Sequence, residues 1–367
     1  MSKARANLPS FPACYAQVIP GLESIAAEEI TSDLGGEIKK KVEGVVVFRA
    51  EEISRQLLDL RTTEDIFLFA WGTDELTYRA KDLESIRRWT ARDVDWSNLL
   101  RIHHTIRPKP KGKPTIRLVT QMHGQHGYRR IDAGKALAQG LAGKLPASWR
   151  YADENASVEV WLTIHGQTAL CGLRLSDRTM RHRSYKLEHV RASLRPTAAA
   201  AMVRLIQPRP KQAIIDPLCG AGTILAELWE YWRSRGLLQR GHDVKVLGGD
   251  IDARTLRAAR GNLQRLGPTT LVRWDATRLP LPDHSVDCIL SNPPFGKQME
   301  RSEGMRSFYA DLVRELDRVL LPRGQAVLLV SDWAALKEAS AGVGWKLMKQ
   351  FVLRILGQRA TLTLWQK

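Results

Sequence analysis

Cysteine is scarce in this 367-residue chain: Cys14, Cys171, Cys219 and Cys288 lie far apart, and no Cys-X-X-Cys pair occurs. A disulfide framework or a cysteine-built zinc site is therefore not expected, and a reducing cytoplasm is the expected compartment. Long apolar runs are missing as well; none approaches the ~18–20 residues that a membrane-spanning helix needs. The opening segment Met1–Asn7 has no apolar stretch of the secretory kind. Acidic residues are absent between Arg101 and Arg130.

What is present is an ordinary globular composition with an uneven charge. Hydrophobic residues make up 44% and charged residues 26%, which is enough apolar surface to bury real cores and excludes wholesale disorder. The length suggests two or three domains. Lys and Arg number 56 against 39 Asp and Glu, a formal charge of +17. Residues 1–100 carry 13 basic and 17 acidic side chains, residues 101–200 carry 18 and 6, and the remainder 25 and 16. The middle block holds Arg101, Arg107, Lys109, Lys111, Lys113, Arg117, Arg129 and Arg130. Such a block predicts a polyanionic partner, nucleic acid most simply; the plainer reading is a basic solubilising surface. His103, His104, His123 and His126 fall in the same basic loop region as two close pairs without carboxylates or thiols, so RNA contact or exposure is expected there and no metal.

Three rhythms run along the chain. Over the first ~70 residues, strands at 14–19, 39–41, 45–48 and 66–71 alternate with helices at 21–34 and 51–60, the ferredoxin-like order. A second unit follows, with broken helix over 83–100, a strand at 115–120 and a helix opened by Asp132. A hairpin turns at Gly166-Gln167. From Ala213 onward, strands and helices alternate regularly, which predicts a mostly parallel, doubly wound sheet. The run Ala198–Ala201 reads as helix, and Trp229 with Trp232 as core. Trp149 and Trp161 are candidate exposed stacking platforms.

Four strand ends of the last unit carry chemistry, since ligands of such sheets bind beyond the C-terminal strand ends. The first is Asp216-Pro217-Leu218-Cys219-Gly220-Ala221-Gly222-Thr223, a glycine-containing turn into a helix start, which is neither a dinucleotide fingerprint nor a P-loop. The second is Asp250, placed to accept ribose hydroxyls, with Asp252 the better helix cap. The third is Asp275-Ala276. The fourth is Asn292-Pro293-Pro294-Phe295-Gly296. Two prolines stiffen that turn and remove two donors, so the Asn292 side-chain oxygen and the Pro293 carbonyl are free to accept both protons of an exocyclic amine. Phe295 would stack on the base. Positioning of this kind supplies most of the rate in a displacement that needs little covalent help.

From about Ser193 onward the chain resembles the class I S-adenosylmethionine-dependent methyltransferases, in their amino-methylating branch. The resemblance implies that Asp216, Cys219, Gly220, Ala221, Gly222 and Thr223 cradle the methionine moiety. Asp250 with Ile251 would hold the ribose side, and Asp275 with Ala276 the adenine edge. The stretch Ala192-Ser193-Leu194-Arg195-Pro196-Thr197 looks like a motif that closes over the cofactor, through Ser193, Leu194 and Thr197, and the resemblance places Asn292 against the cofactor as well as the amine. The chain as a whole resembles the THUMP-domain tRNA guanosine-N2 methyltransferases, especially those of nucleotide 6. Ile19–Glu29 and the motifs just quoted carry that likeness. It departs from the usual His-Pro-Ala-Ser-Leu, because Val190-Arg191 separates His189 from Ala192.

That family implies an N-terminal ferredoxin-like domain over 1–75 and a THUMP RNA-binding domain over 76–180. A linker over 181–195 and a Rossmann-like methyltransferase over 196–367 would follow. It also implies a monomer acting on tRNA without a metal, with Arg107, Lys109, Lys111, Lys113, Arg129 and Arg130 as candidate RNA contacts. The same chemistry on guanosine 10 of tRNA, on ribosomal RNA or on adenine N6 of DNA stays open, as do a glutamine-methylating enzyme and a non-catalytic adaptor. Cys219 invites a nucleophile reading, but amino methylation needs no covalent intermediate.

Overall fold

The structure, a computed structural model, describes residues 12–108, 112–188, 190, 193–238, 244–295, 302–355 and 357–367. Contacts divide the chain into two units. One holds Met1–Gln17, Ala27–Leu60 and Asp65–Met180; the other holds Val18–Ala26, Arg61–Glu64 and Arg181–Lys367.

The first unit begins with β1 (Cys14–Gln17), the part of α1 (Glu23–Leu34) from Ala27 onward, β2 (Glu37–Val42), β3 (Val45–Arg49) and β4 (Asp65–Thr73). These strands pair in the order β2-β3-β1-β4, as the ferredoxin-like plan requires. The second helix expected over 51–60 is instead a single 3-10 turn, Arg55–Asp59. Ile53, Leu57 and Leu60 are all buried, so the apolar spacing is satisfied by a short turn between two strands and no longer helix is needed. Next come α2 (Lys81–Arg92), α3 (Trp96–Ile106), β5 (Thr115–His123), α4 (Arg130–Leu141), β6 (Arg150–Tyr151), β7 (Val158–His165) and β8 (Thr168–Arg174). β4 pairs antiparallel with β8, so one sheet runs β2-β3-β1-β4-β8-β7-β5-β6.

Three local expectations are corrected here. Helix α4 starts at Arg130, two residues before Asp132, because that carboxylate sits in the first turn of the helix and accepts the Arg129 N–H in a capping box. Trp161 is no exposed platform: it is 7% exposed, 5.5 Å from the Phe67 ring and covered by the Arg174 guanidinium at 5.3 Å. Trp149 is half-buried, with its ring 6.1 Å from His104. His103 and His104 lie on α3, not in a loop. Burial holds His103 down to about 4, and so it is neutral at physiological pH.

The second unit continues with α5 (Pro196–Ile206), β9 (Ala213–Asp216), α6 (Thr223–Ser234), β10 (Lys245–Asp250), α7 (Ala253–Leu263), β11 (Thr270–Arg273) and β12 (Val286–Ser291). α8 (Ser302–Val319), β13 (Leu320–Val330), α9 (Trp333–Gly342), β14 (Lys346–Ile355) and β15 (Gln358–Gln366) complete it. The sheet order is β11-β10-β9-β12-β13-β15-β14, with parallel pairing from β11 to β13 and antiparallel pairing for the last two strands. One apolar core joins α5 and α6 to one face and includes Trp229 and Trp232; the other joins α8 and α9 to the opposite face. This is a Rossmann-like, doubly wound α/β architecture.

Helix α6 carries a buried charge. Glu227 is 1% exposed and accepts from Arg61 at 2.6 and 3.0 Å, from Arg183 at 3.2 Å and from the Tyr185 hydroxyl at 2.7 Å. Those cations hold its carboxyl below the ordinary glutamate range even though burial alone would raise it. Among the described residues no helix is long and apolar enough to cross a membrane. All four cysteines are buried and unpaired.

Candidate active site

Chain direction within the second sheet decides where a ligand fits. From β9 the chain proceeds outward through β10 and β11, and then returns to β12 on the other side of β9. β9 and β12 therefore flank the topological switch point, whose crevice opens beyond Asp216 and Ser291.

The turn after β9 is shaped by its packing. Gly222 caps α6 with φ +75°, and a Cβ there would stand 2.9 Å from Leu263 Cδ1, so a side chain is excluded on two counts. No side chain caps α6, which leaves its first N–H groups available to an anion. Cys219 N–H donates to the Gly249 carbonyl at 2.8 Å, fastening the turn to β10. The Cys219 thiol is buried and raised well above its ordinary value by desolvation and by the charges of Asp216 and Asp250, so it is inert as a nucleophile. Ser193 Oγ lies 3.3 Å from Thr223 Oγ1, which brings the segment before α5 to the start of α6. Leu194 packs on the same core.

Both carboxylate oxygens of Asp250 have one amide donor, Gly220 N–H at 3.1 Å and Asp252 N–H at 2.9 Å. Each oxygen keeps acceptor capacity for a ligand hydroxyl. Asp252 caps α7, accepting from Arg254 N–H, as expected. Ile251 beside it is 62% exposed, an apolar surface next to the polar one. Asp275 accepts from the Thr277 N–H at 2.9 Å and the Thr277 hydroxyl at 2.8 Å, which keep it below the usual carboxylate range; one of its oxygens thus closes its own turn. Ala276 is buried beneath. Trp274, which sequence reasoning missed, donates its indole N–H to the Pro217 carbonyl at 3.0 Å. A Cβ on Gly249 would fall 1.9 Å from that ring, so the Gly248-Gly249 pair was the available signal.

Three buried polar atoms in this region have no partner: Asp216 Oδ2, Thr197 Oγ1 and Asn292 Oδ1. Buried polar atoms in folded proteins are seldom left unsatisfied. All three belong to residues that the sequence reading named for the cofactor or the reacting amine. Asp216 Oδ1, in contrast, accepts from Leu218 N–H at 3.2 Å and from the Ser291 hydroxyl at 2.9 Å. Desolvation, helped by the charge of Asp250, pushes Asp216 up to about 7 against those two bonds. The turn that follows β12 keeps Pro293 buried and rests the half-buried Phe295 on the core; Gly296 lies outside the described residues, as do His189, Arg191 and Ala192. A cavity of about 550 Å³ opens at the opposite, N-terminal strand ends, lined by Ala213, Lys245, Thr270 and Pro282. It contains none of the expected site residues.

The candidate RNA contacts are scattered over the first unit. Arg129 is exposed and Arg130 reaches the Thr120 carbonyl at 3.3 Å, both at the start of α4. Lys113 is exposed. Arg107 is drawn inward, to the Leu175 carbonyl at 2.7 Å and Asp177 at 2.8 Å. Lys109 and Lys111 lie outside the described residues. Among the described residues, no group of three or more His, Cys, Asp or Glu side chains is arranged to hold a metal ion.

Residues 183–361 match the family model described as UPF0020, RMKL-like methyltransferase domain. The chain is 28% identical over 327 residues to a Thermus thermophilus protein named tRNA (guanine(6)-N2)-methyltransferase, covering 87% of this chain and 89% of that one. It is 31% identical over 233 residues to the Mus musculus tRNA (guanine(6)-N(2))-methyltransferase THUMP3, covering 59% of this chain and only 44% of the mouse protein. The crystal structure of TrmN from Thermus thermophilus superposes with a TM-score of 0.75 at 26% identity, over 97% of this chain and 99% of that one.

Proposed function

We propose that this chain is a tRNA (guanine-N2-)-methyltransferase, transferring a methyl group from S-adenosylmethionine to the exocyclic N2 of a guanosine, at nucleotide 6 of the acceptor stem. The observation that carries this is Asn292 Oδ1, a buried acceptor without a donor, on a turn stiffened by two prolines at the switch point. The residues present fit the cofactor. Asp216 Oδ2 and Thr197 Oγ1 lack partners, Asp250 keeps acceptor capacity, and the start of α6 is uncapped. When bound, S-adenosylmethionine supplies an electrophilic methyl on a sulfonium.

The chain's own residues do the rest by placement. Asn292 Oδ1 and the Pro293 carbonyl accept the two N–H protons of the guanine amine, which fixes the direction of its lone pair. Pro294 keeps the turn rigid, and Phe295 stacks on the base. No strong general base is needed, since the amine sheds its proton to solvent after transfer. A paired guanine must first leave its stack, at a cost of a few kcal/mol that RNA contacts offset. The first unit supplies them: we assign 1–75 as the N-terminal ferredoxin-like domain, 76–180 as the THUMP domain, 181–195 as the linker and 196–367 as the catalytic domain. Arg129, Arg130 and Lys113 contact phosphates there. Tyr78, 39% exposed with its ring 5.0 Å from His126, offers a stacking face. The protein acts as a cytoplasmic monomer in this reading.

The decisive experiment gives the purified chain labelled S-adenosylmethionine and tRNA transcripts, then locates the modified nucleoside by mass spectrometry. N2-methylguanosine at nucleotide 6 is expected; label at another guanosine changes the substrate, and no transfer to RNA overturns the reading. Asn292→Ala should lose transfer at least about 100-fold while S-adenosylhomocysteine still binds. If about six phosphates are contacted, RNA affinity should fall on the order of 10³-fold between 50 and 200 mM salt.

A further inference from the structure

Ser291 ends β12, directly before Asn292, and its side chain is fully buried. It turns away from the amine-binding role of its neighbour and donates instead to Asp216 Oδ1 on the adjacent strand β9. Leu218 N–H completes that oxygen's set, while Asp216 Oδ2 is left without a donor in a side chain 1% exposed. A carboxylate in this state is poorly satisfied, and a cation at Oδ2 would repair it.

We propose that Ser291 is a positioning residue for the cofactor: by engaging Asp216 Oδ1 it orients the carboxylate so that Oδ2 receives the ammonium of the amino-acid moiety of S-adenosylmethionine. The inference rests on the methyltransferase reading and adds the residue on which its cofactor affinity turns. Among the described residues, four groups act on the Asp216 carboxylate or lie beside it. Asp250, at the end of β10, opposes ionisation; the Cys219 thiol is neutral; the Leu218 amide and the Ser291 hydroxyl favour the charge. Removing the hydroxyl leaves one amide against burial and Asp250. Binding of an ammonium requires the ionised carboxylate, so affinity rises with pH through the Asp216 titration. Loss of Ser291 must move that rise to higher pH.

The test is calorimetric binding of S-adenosylhomocysteine, which keeps the ammonium, to the full chain from pH 6 to 9. Ser291→Ala should bind about ten-fold more weakly at pH 7, with its pH profile displaced upward. Ser291→Thr keeps the hydroxyl and should restore both, a rescue that mere packing would not produce. Asp216→Asn should bind weakly and without pH dependence. A folded Ser291→Ala protein with wild-type affinity and profile overturns the proposal, as does pH dependence that survives in Asp216→Asn. If Ser291→Ala does not fold, the threonine and asparagine variants decide by the same criteria. A wild-type chain that binds no S-adenosylhomocysteine removes the methyltransferase reading itself, a result distinct from either of these.

Discussion

Asp216 and Glu227 are both carboxylates of the second unit, each 1% exposed, and one lies at the end of β9 while the other lies on the helix that follows. Their titrations move in opposite directions. Glu227 has two guanidiniums and a hydroxyl and sits below its ordinary value, whereas Asp216 has one hydroxyl and one amide on a single oxygen and rises to about 7. Burial raises both, and so it accounts for the Asp216 shift but not for the opposite direction taken by Glu227. The partner set decides: a fully paired buried charge is structure, and a half-paired one is a place for something to bind.

The largest expected effect tests the paired member. Glu227→Ala leaves the Arg61 and Arg183 guanidiniums without their buried anion and should lose about 3–5 kcal/mol in urea unfolding. A loss below about 1 kcal/mol would show that the pairing is idle and break the contrast. Asp216→Asn should do the reverse. Since the folded value of Asp216 lies above its unfolded one, the Asp216 contribution to the stability of the ligand-free protein falls as pH rises from near 4 toward about 7, and stays level beyond. The asparagine variant should therefore be more stable than wild type at pH 8, by about 1–3 kcal/mol, while its cofactor affinity collapses.

Acid unfolding sharpens the same comparison. The Glu227 contribution is present above its unfolded value near 4.5 and fades as pH falls through the lower folded value. Glu227→Gln should flatten that acid limb of the stability curve. The smallest change is Tyr185→Phe, which removes one hydrogen bond of 2.7 Å from an anion still held by two arginines. About 1–2 kcal/mol should be lost by the same unfolding measurement.

Legibility in the sequence followed range. Asn292-Pro293-Pro294-Phe295 could be read because proline constrains its own backbone wherever it stands. Asp252 could be read as a cap, since its acceptor acts on an amide two residues away. The alanine run at 198–201 is indeed buried helix in α5. Ser291 was missed because its partner is 75 residues away, and Glu227 because Arg61 stands 166 residues earlier. The helix expected over 51–60 failed for a related reason. Its apolar spacing suits a helix or a tight turn equally, since Ile53, Leu57 and Leu60 are all buried by a single 3-10 turn.

By itself the sequence determined the alternation of elements, the identity of the stiff turn after β12, the acceptors at the strand ends and the basic block of the middle region. All of these depend on residues near one another along the chain, where φ restriction, helix capping and local charge density act. The tertiary structure alone decided that β4 and β8 share a sheet, that Trp161 and Arg107 are drawn inward, and which buried carboxylate is satisfied. Hydrogen-bond satisfaction and desolvation depend on what packs against a group, and in this chain those partners come from strands and helices distant in sequence.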